Sequence, residues 1–209
     1  MFGDGGLTFQ EFAMREPLPL ATIHDSVLEF LRGRDDAALY GAQAVNAYVK
    51  QSRMTQDVDI VSTRAPELAE EIRLFLSERF HIATRTRRVR EGIGYRVYQM
   101  RKPENRHLVD VRPVTSLPPT QRVDDVLVIA PAELVANKVM AWRHRRTRPK
   151  SGTDWRDLAY LLLTFPDLKT DSGLVCGRLE AAGAGPEVLA AWHEIVAQEI
   201  LPEEDEDKF

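Results

Sequence analysis

The chain alternates between stretches with apolar residues at helical spacing and short apolar runs typical of strands. Ile23, Val27, Leu28 and Leu31 predict a first helix, which Gly33 ends. The same periodicity predicts later helices at residues 42–49, 66–80, 131–146, 153–165, 174–182 and 186–201. Short runs with strand-like patterns predict strands at residues 37–40, 57–61, 81–89, 95–101 and 107–112, with an edge strand at 126–129.

The order of these elements predicts an α+β fold. Strands and helices are mixed in the first part of the chain, and from Pro131 onward the pattern is helical throughout. We therefore expect two domains, an α/β core at residues 1–125 and a C-terminal helical bundle at residues 126–209, with a ligand-binding cleft between them. Turns or linkers are predicted at residues 92–94, 102–105 and 113–119.

Composition narrows the class of protein. A chain of 209 residues that is 44% hydrophobic can bury a core, and its one cysteine, Cys176, excludes a framework of internal disulfides. The first residues lack a basic segment, and the longest apolar runs are too short to cross a bilayer. We expect a cytoplasmic protein with no membrane segment.

Charge is unevenly distributed along the chain. The formal net charge of -4 argues against a globally cationic nucleic-acid binder. Basic residues nevertheless cluster at residues 85–90 and 143–150, and residues 203–207 are acidic. The basic clusters either bind a polyanion or are solvated faces of ordinary helices and strands.

Three aspartates stand where a strand favours apolar residues. Asp57 and Asp59 alternate with Val58 and Ile60, so both carboxylates lie on one face of the strand. Asp110 interrupts a later strand in the same way. Like charges this close call for a cation, and carboxylate oxygens suit Mg²⁺. The alternative is that the Asp57–Asp59 pair lies on a solvated edge and that Asp110 pairs with an arginine.

Four further residues are candidates for a phosphate-binding site. Gly41, between a strand and a helix, lets backbone N–H groups approach a phosphate closely. Lys138 lies inside the apolar stripe of its helix, where it either grips phosphate oxygens or reaches solvent at the edge of the stripe. Asp154 and Asp157 stand in the first turn of the next helix, where they are caps or where one of them orients Lys138.

The histidines and tryptophans indicate no site of their own. The five histidines are scattered without ligand spacing, so neither a metal site nor a catalytic triad follows from them. The tryptophans are expected in the core of the helical half, where Trp155 could instead stack on a base.

Taken in order, these motifs resemble the signature of the polymerase-β-like nucleotidyltransferase superfamily. Within it, the later motifs are similar to the AbiEii group of abortive-infection and MenT-type toxins. The resemblance is carried by residues 41–44, 53–59, 131–138 and 153–162, together with Asp110 and Arg143. It spans roughly residues 37–165, and the ordered combination is more specific than any single motif.

The resemblance implies a polymerase-β-like fold, an NTP substrate and a Mg²⁺ cofactor. The metal ligands that it implies are Asp57, Asp59 and Asp110. The other catalytic positions that it implies are Lys138, Asp154 and Asp157. The nucleotide contacts that it implies are Gly41, Ala42, Thr55, Lys138 and Arg143.

The implied reaction is transfer of a nucleoside monophosphate to an acceptor hydroxyl. By analogy the acceptor is RNA, such as a tRNA end, and the protein is a toxin with a possible cognate antitoxin protein. Two alternatives stay open. One is a small-molecule acceptor, as in antibiotic-modifying nucleotidyltransferases, and the other is a catalytically silent scaffold that binds a nucleotide or a partner.

Overall fold

The computed structural model describes residues 19–89 and 94–202. Within these ranges the helices are α1 (Leu20–Leu31), α2 (Gly41–Asn46), α3 (Ala65–Phe80), α4 (Pro131–His144), α5 (Lys150–Thr164), α6 (Leu174–Ala181) and α7 (Pro186–Ala197). The strands are β1 (Ala37–Tyr40), β2 (Val58–Ser62), β3 (Thr84–Arg88), β4 (Tyr95–Gln99), β5 (Arg106–Pro113), β6 (Thr120–Val123) and β7 (Val126–Ile129). Arg90, most of the predicted turn at residues 92–94 and the acidic residues 203–207 lie outside the described residues.

The strands form one mixed sheet, which confirms the predicted α+β fold. Its strand order is β3-β4-β5-β2-β1-β7-β6. At the centre, β2 pairs in parallel with β5 and antiparallel with β1, and β1 in turn pairs in parallel with β7. The strands that carry the aspartates are therefore interior strands.

The prediction that residues 126–129 form an edge strand is wrong. β7 lies between β1 and β6, and β6 is the edge. The hairpin between β6 and β7 turns at Asp124 and Asp125, whose φ angles of 48° and 66° are those of a type I′ turn. The sequence Thr-Gln-Arg-Val of β6 has too little apolar alternation to be recognised as a strand.

One face of the sheet is covered by helices, and part of the other is open. The Thr84 hydroxyl donates to the backbone of Arg73 in α3, and Thr86 donates to Glu70 in the same helix. Because side chains alternate along a strand, the exposed Arg85 and Arg87 of β3 project from the opposite face. This open face also carries the aspartates.

The last three helices pack around α4. α5, α6 and α7 all contact it, and Leu134, Val139, Leu161 and Trp192 are buried in this part of the core. The sheet extends to Ile129, four residues past the expected boundary, and the division into two domains stays a prediction. Among the described residues, no helix is long and apolar enough to cross a membrane.

Candidate active site

Asp59 and Asp110 are direct neighbours across two interior strands. Asp59 of β2 is in register with Asp110 of β5, so their side chains share one face of the sheet. Asp57, immediately before β2, projects from that face as well, because it lies two residues from Asp59. The alternative of a solvated sheet edge is therefore wrong for the Asp57–Asp59 pair. Its second part holds, since Arg96 donates to Asp110 at 2.8 Å.

A bulge in β5 adds a histidine to the three aspartates. The register between β4 and β5 shifts by one residue after the Val97–Val109 pair, so that Tyr98 faces His107. His107 and Asp110 thereby reach the same face although they are three residues apart. The His107 ring lies between two carboxylates, with Nδ1 3.1 Å from Asp57 Oδ2 and Nε2 3.1 Å from Asp110 Oδ1. The spacing of the histidines gives no sign of this position, and His107 is one of three residues that could hold a metal ion here.

The pKa values of Asp59 and Asp110 are shifted in opposite directions. Burial raises the pKa of Asp59 to about 6, and the charges of Asp57 and Asp110 add to the rise. Burial acts in the same direction on Asp110, but its hydrogen bonds with His107 and Arg96 hold that pKa below the usual value. The charges of Lys150 and Arg112 lower the pKa of Asp59, but their effect is smaller than the rise caused by burial and the two neighbouring carboxylates.

The donor set fits a divalent ion. Asp57, His107 and Asp110 each offer one ligand atom, and these atoms lie within 4.8 Å of one another. Oxygen-rich, partly exposed sites of this kind suit a hard divalent cation that keeps some of its water ligands. Asp59 borders this group through its register with Asp110, and its role as a metal ligand stays a prediction.

Gly41 brings backbone into contact with Asp59. Its φ is +69°, and a Cβ on this residue would overlap with the Asp59 carboxylate. A residue without a side chain is therefore needed both for the backbone conformation and for the close approach. The chain at residues 41 and 42 consequently borders the carboxylate cluster, as the predicted phosphate-binding role of Gly41 and Ala42 requires.

Replacement of Gly41 tests this contact. We expect Gly41→Ala to lower divalent-ion affinity by about tenfold or more, because the methyl group displaces Asp59. Gly183→Ala is the matched control, since Gly183 has a φ of +70° and open space around it. Both variants should lose about 1–2 kcal/mol of stability from backbone strain. Equal ion affinity in the two variants, measured by titration calorimetry, would contradict the contact.

A second cluster joins the helical half to the chain before β2. Lys138 of α4 is 8% exposed, and its Nζ donates to Asp157 Oδ2 at 2.6 Å. Arg53 donates to both oxygens of the same carboxylate, at 2.8 and 2.9 Å. Lys138 is therefore a buried, paired cation, and the alternative that it reaches solvent at the edge of the apolar stripe is wrong.

Asp154 and Asp157 are not helix caps. α5 begins at Lys150, three residues before the expected start, and has no acidic residue in its first turn. Both carboxylates are instead buried against cations. Asp154 accepts from Arg145 at 2.9 Å and lies 3.8 Å from Lys138 Nζ, so Asp157 is the closer partner of the lysine.

Two of the predicted nucleotide-binding residues, Thr55 and Arg143, are buried or half-buried. Thr55 is buried, and its hydroxyl accepts a hydrogen bond from Gln43 at 2.9 Å. Arg143 is half-buried in the last turn of α4, where its neighbour Arg145 makes the ion pair with Asp154. Their roles in nucleotide binding stay predictions.

Sequence reasoning assigned no role to three residues that the structure brings into these clusters. Arg53 lies inside one of the motifs that carry the resemblance, His107 has no ligand spacing, and Arg96 belongs to none of the motifs. Their spacing carries no signal, because Arg53 and Asp157 are 104 residues apart. For His107, the one available hint was its position three residues before Asp110.

A basic and aromatic strip continues from the carboxylates to the sheet edge. In register across the open face, Asp110 is followed by Arg96 and then Arg87, and His107 is followed by Tyr98 and then Arg85. Arg85, Arg87 and Tyr98, at the end of this strip nearest the sheet edge, line a cavity of about 320 Å³. We call Arg85, Arg87, Arg96 and Tyr98 the basic strip.

Comparison with solved structures shows the fold. The Megavirus polyadenylate synthase superposes with a TM-score of 0.56 at 12% identity over 78% of this chain, and this chain spans 37% of the viral enzyme. JHP933 from Helicobacter pylori has a TM-score of 0.50 at 11% identity, with 91% of this chain and 92% of that protein covered. Identities this low establish a shared fold and leave the activity to other arguments.

Sequence comparison shows the family. A search of curated proteins found no match. The model of the family described as "Nucleotidyl transferase AbiEii toxin, Type IV TA system" matches residues 26–182, which hold both clusters and the basic strip. The chain belongs to the AbiEii family of toxin nucleotidyltransferases.

Proposed function

We propose that this nucleotidyltransferase moves a nucleoside monophosphate from an NTP to a hydroxyl of an RNA, with Mg²⁺ bound by Asp57, Asp59 and Asp110. The observation that carries the proposal is the meeting of three carboxylates on one open face of the sheet, beside the backbone at Gly41. A divalent ion bound there would orient the triphosphate and stabilise the charge that develops on its oxygens.

The second cluster positions a cation for the nucleotide. Both oxygens of Asp157 accept hydrogen bonds from cations, so this carboxylate is a poor proton acceptor and a good anchor. It holds Lys138 in one orientation, and a triphosphate oxygen can take the remaining N–H groups of the ammonium. We assign Asp157 to positioning and Lys138 to contact with the nucleotide, and Asp154 supports Lys138 from 3.8 Å.

In the proposed reaction the acceptor hydroxyl attacks the α-phosphorus. A new oxygen–phosphorus bond forms as the bond to pyrophosphate breaks, and the hydroxyl proton leaves to solvent. The chain contributes mainly by holding the reacting groups in place and by balancing charge, as is usual for phosphoryl chemistry.

The basic strip favours an RNA acceptor over a small molecule. Arg85 and Arg87 are exposed and lie on the same face as the carboxylates, so the phosphates of a strand on this surface can pair with them. Tyr98 lies between these arginines and the metal cluster and offers a ring on which a base can stack. A small acceptor would need neither feature.

The strip can be tested with Arg85→Ala/Arg87→Ala. We expect weaker binding of single-stranded RNA, and a plot of log affinity against log salt that is less steep by about 1.4, which corresponds to two phosphate contacts. The matched control is Arg79→Ala/Arg122→Ala, which removes two exposed arginines from α3 and from the opposite sheet edge. Filter binding over a salt series gives the slopes.

The outcomes separate the two acceptor classes. If the Arg85→Ala/Arg87→Ala variant and the wild type have the same slope, the basic strip does not bind RNA. Weak RNA binding by the wild type that does not respond to salt would favour the small-molecule acceptor.

We also propose that the protein acts as a toxin in the cytoplasm and is restrained by a cognate antitoxin. The support is the family, which is described as a toxin of a type IV TA system. Induced expression in a bacterial host should then stop growth, whereas Asp57→Ala/Asp59→Ala at equal abundance should not. Growth arrest by both proteins would contradict a toxicity that depends on catalysis.

A further inference from the structure

The β5 bulge places an imidazole inside the carboxylate cluster. Without the shift in register at Val97 and Tyr98, His107 and Asp110 would project from opposite faces of the sheet, because their separation of three residues is odd. Bulges next to active sites commonly redirect a side chain in this way. The position of His107 therefore follows from a specific distortion of the strand.

The three side chains are close enough to share one ion, which can bind one of the two ring nitrogens of His107. Each ring nitrogen of His107 is 3.1 Å from a carboxylate oxygen, Nδ1 from Asp57 and Nε2 from Asp110. One ligand atom from each of Asp57, His107 and Asp110 lies within 4.8 Å of the others. Ligands of an octahedral ion with bonds of about 2.1 Å are about 3.0 Å apart when adjacent and about 4.2 Å apart when opposite. An ion at this cluster can therefore take one imidazole nitrogen together with carboxylate oxygens after only small movements.

Neighbouring side chains hold the ring in place. Tyr98 packs on His107 with ring centroids 5.3 Å apart. Arg96 donates to the same oxygen of Asp110 that His107 approaches, and so fixes that carboxylate. Such surrounding contacts orient metal ligands and strengthen ion binding.

Nitrogen and oxygen ligands select different ions. Mg²⁺ is bound by oxygen and water, whereas imidazole favours first-row transition ions. We propose that His107 is a nitrogen ligand of the divalent ion and that the centre consequently binds Mn²⁺ more tightly than Mg²⁺. This inference rests on the proposed metal site but does not depend on the identity of the acceptor.

Electron paramagnetic resonance of Mn²⁺ bound to the full-length protein tests the inference without any measurement of activity. Pulsed spectra of the wild type should contain modulation from a directly bound nitrogen, and His107→Gln should abolish it. Titration should show Mn²⁺ affinity lower by about tenfold or more in His107→Gln. Mg²⁺ affinity, measured by competition, should change by less than about threefold.

His193→Gln is the matched control. His193 also pairs with an aspartate, Asp171 at 2.8 Å, but on an exposed surface in the helical half. Its replacement should leave the nitrogen signal and both affinities unchanged.

The wild-type spectrum decides the question even if His107→Gln folds poorly. Bound Mn²⁺ without a nitrogen signal, or a wild type that binds Mg²⁺ as tightly as Mn²⁺, would overturn the inference. A nitrogen signal from a protein that transfers no nucleotide would leave the inference standing and contradict the proposed function. Nucleotide transfer by a protein whose bound ion has only oxygen ligands would support the proposed function and overturn this inference.

Discussion

Asp59→Asn should abolish nucleotidyl transfer and at the same time make the ion-free protein more stable. Activity should fall by about a thousandfold or more, because the variant loses a ligand charge at the site where negative charge develops. Stability should rise because Asp59 is held ionised against burial and two neighbouring carboxylates. A rise in pKa from 3.8 to about 6 corresponds to at most about 3 kcal/mol, and we expect about 1–3 kcal/mol.

The effect on stability depends on pH with a definite sign. Because folding raises the pKa of Asp59, the folded state binds the proton more tightly between pH 4 and about 6. The wild type should therefore lose stability relative to Asp59→Asn as pH rises through this window, and the difference should be constant above it. Thermal melts of the two proteins across this range give the difference directly.

Asp167→Asn serves as the control for Asp59→Asn. Asp167 is an exposed aspartate in the short 3₁₀ helix after α5, and its replacement should change neither activity nor the melting profile. Transfer that survives in Asp59→Asn, or a variant that melts below the wild type at neutral pH, would contradict the assigned position of Asp59.

Asp157→Ala should destabilise the protein by about 3–5 kcal/mol. Its side chain is 1% exposed and is the shared partner of Arg53 and Lys138, so the variant leaves two cations without their carboxylate. Burial alone would raise the pKa of Asp157, but the hydrogen bonds from Arg53 and the charge of Lys138 hold it below its usual value. This contribution to stability is present at neutral pH and is lost as pH falls through the lowered pKa.

Denaturant unfolding measures the loss, and Asp171→Ala provides the comparison. Asp171 pairs with His193 on the surface with 66% of its side chain exposed, and such pairs contribute less than about 1 kcal/mol. An Asp157→Ala variant as stable as Asp171→Ala would mean that the buried cluster does not form.

The sequence was sufficient to predict that the three aspartates stand out from the apolar pattern of their strands, because each position follows a local rule. Asp57 and Asp59 share a face by strict alternation, and Asp110 stands between two valines in a predictable strand. The same rule fails for His107, which alternation assigns to the opposite face from Asp110. A one-residue bulge reverses that assignment, and the local sequence contains no signal that predicts the bulge.

The partners of Lys138 show a different limit. Its place in an apolar stripe leaves open whether the ammonium grips phosphate oxygens or reaches solvent, and either Asp154 or Asp157 could orient it. The choice between Asp154 and Asp157 depends on how α4 and α5 pack, and the second cation, Arg53, comes from a loop 104 residues away. Contacts between distant segments of this kind cannot be derived from spacing.

The edge strand β6 could not be predicted because the sequence around it lacks the usual signals. The hairpin of β6 and β7 turns on Asp124 and Asp125, both with positive φ, where glycine or asparagine is the usual signal. Because β6 also lacks an apolar pattern, the sequence predicts only β7 and places it at the edge.

Transfer of label from NTPs to RNA tests the central claim most directly. The wild type is incubated with total RNA and each of the four NTPs, labelled with ³²P at either the α or the γ position, and the RNA is then counted. We expect the α label of at least one NTP to become bound to RNA, no γ label on RNA, and neither label with Asp57→Asn/Asp59→Asn. Transfer of the γ label, or an α label that never reaches RNA with any NTP, would contradict nucleotidyl transfer to RNA at this site.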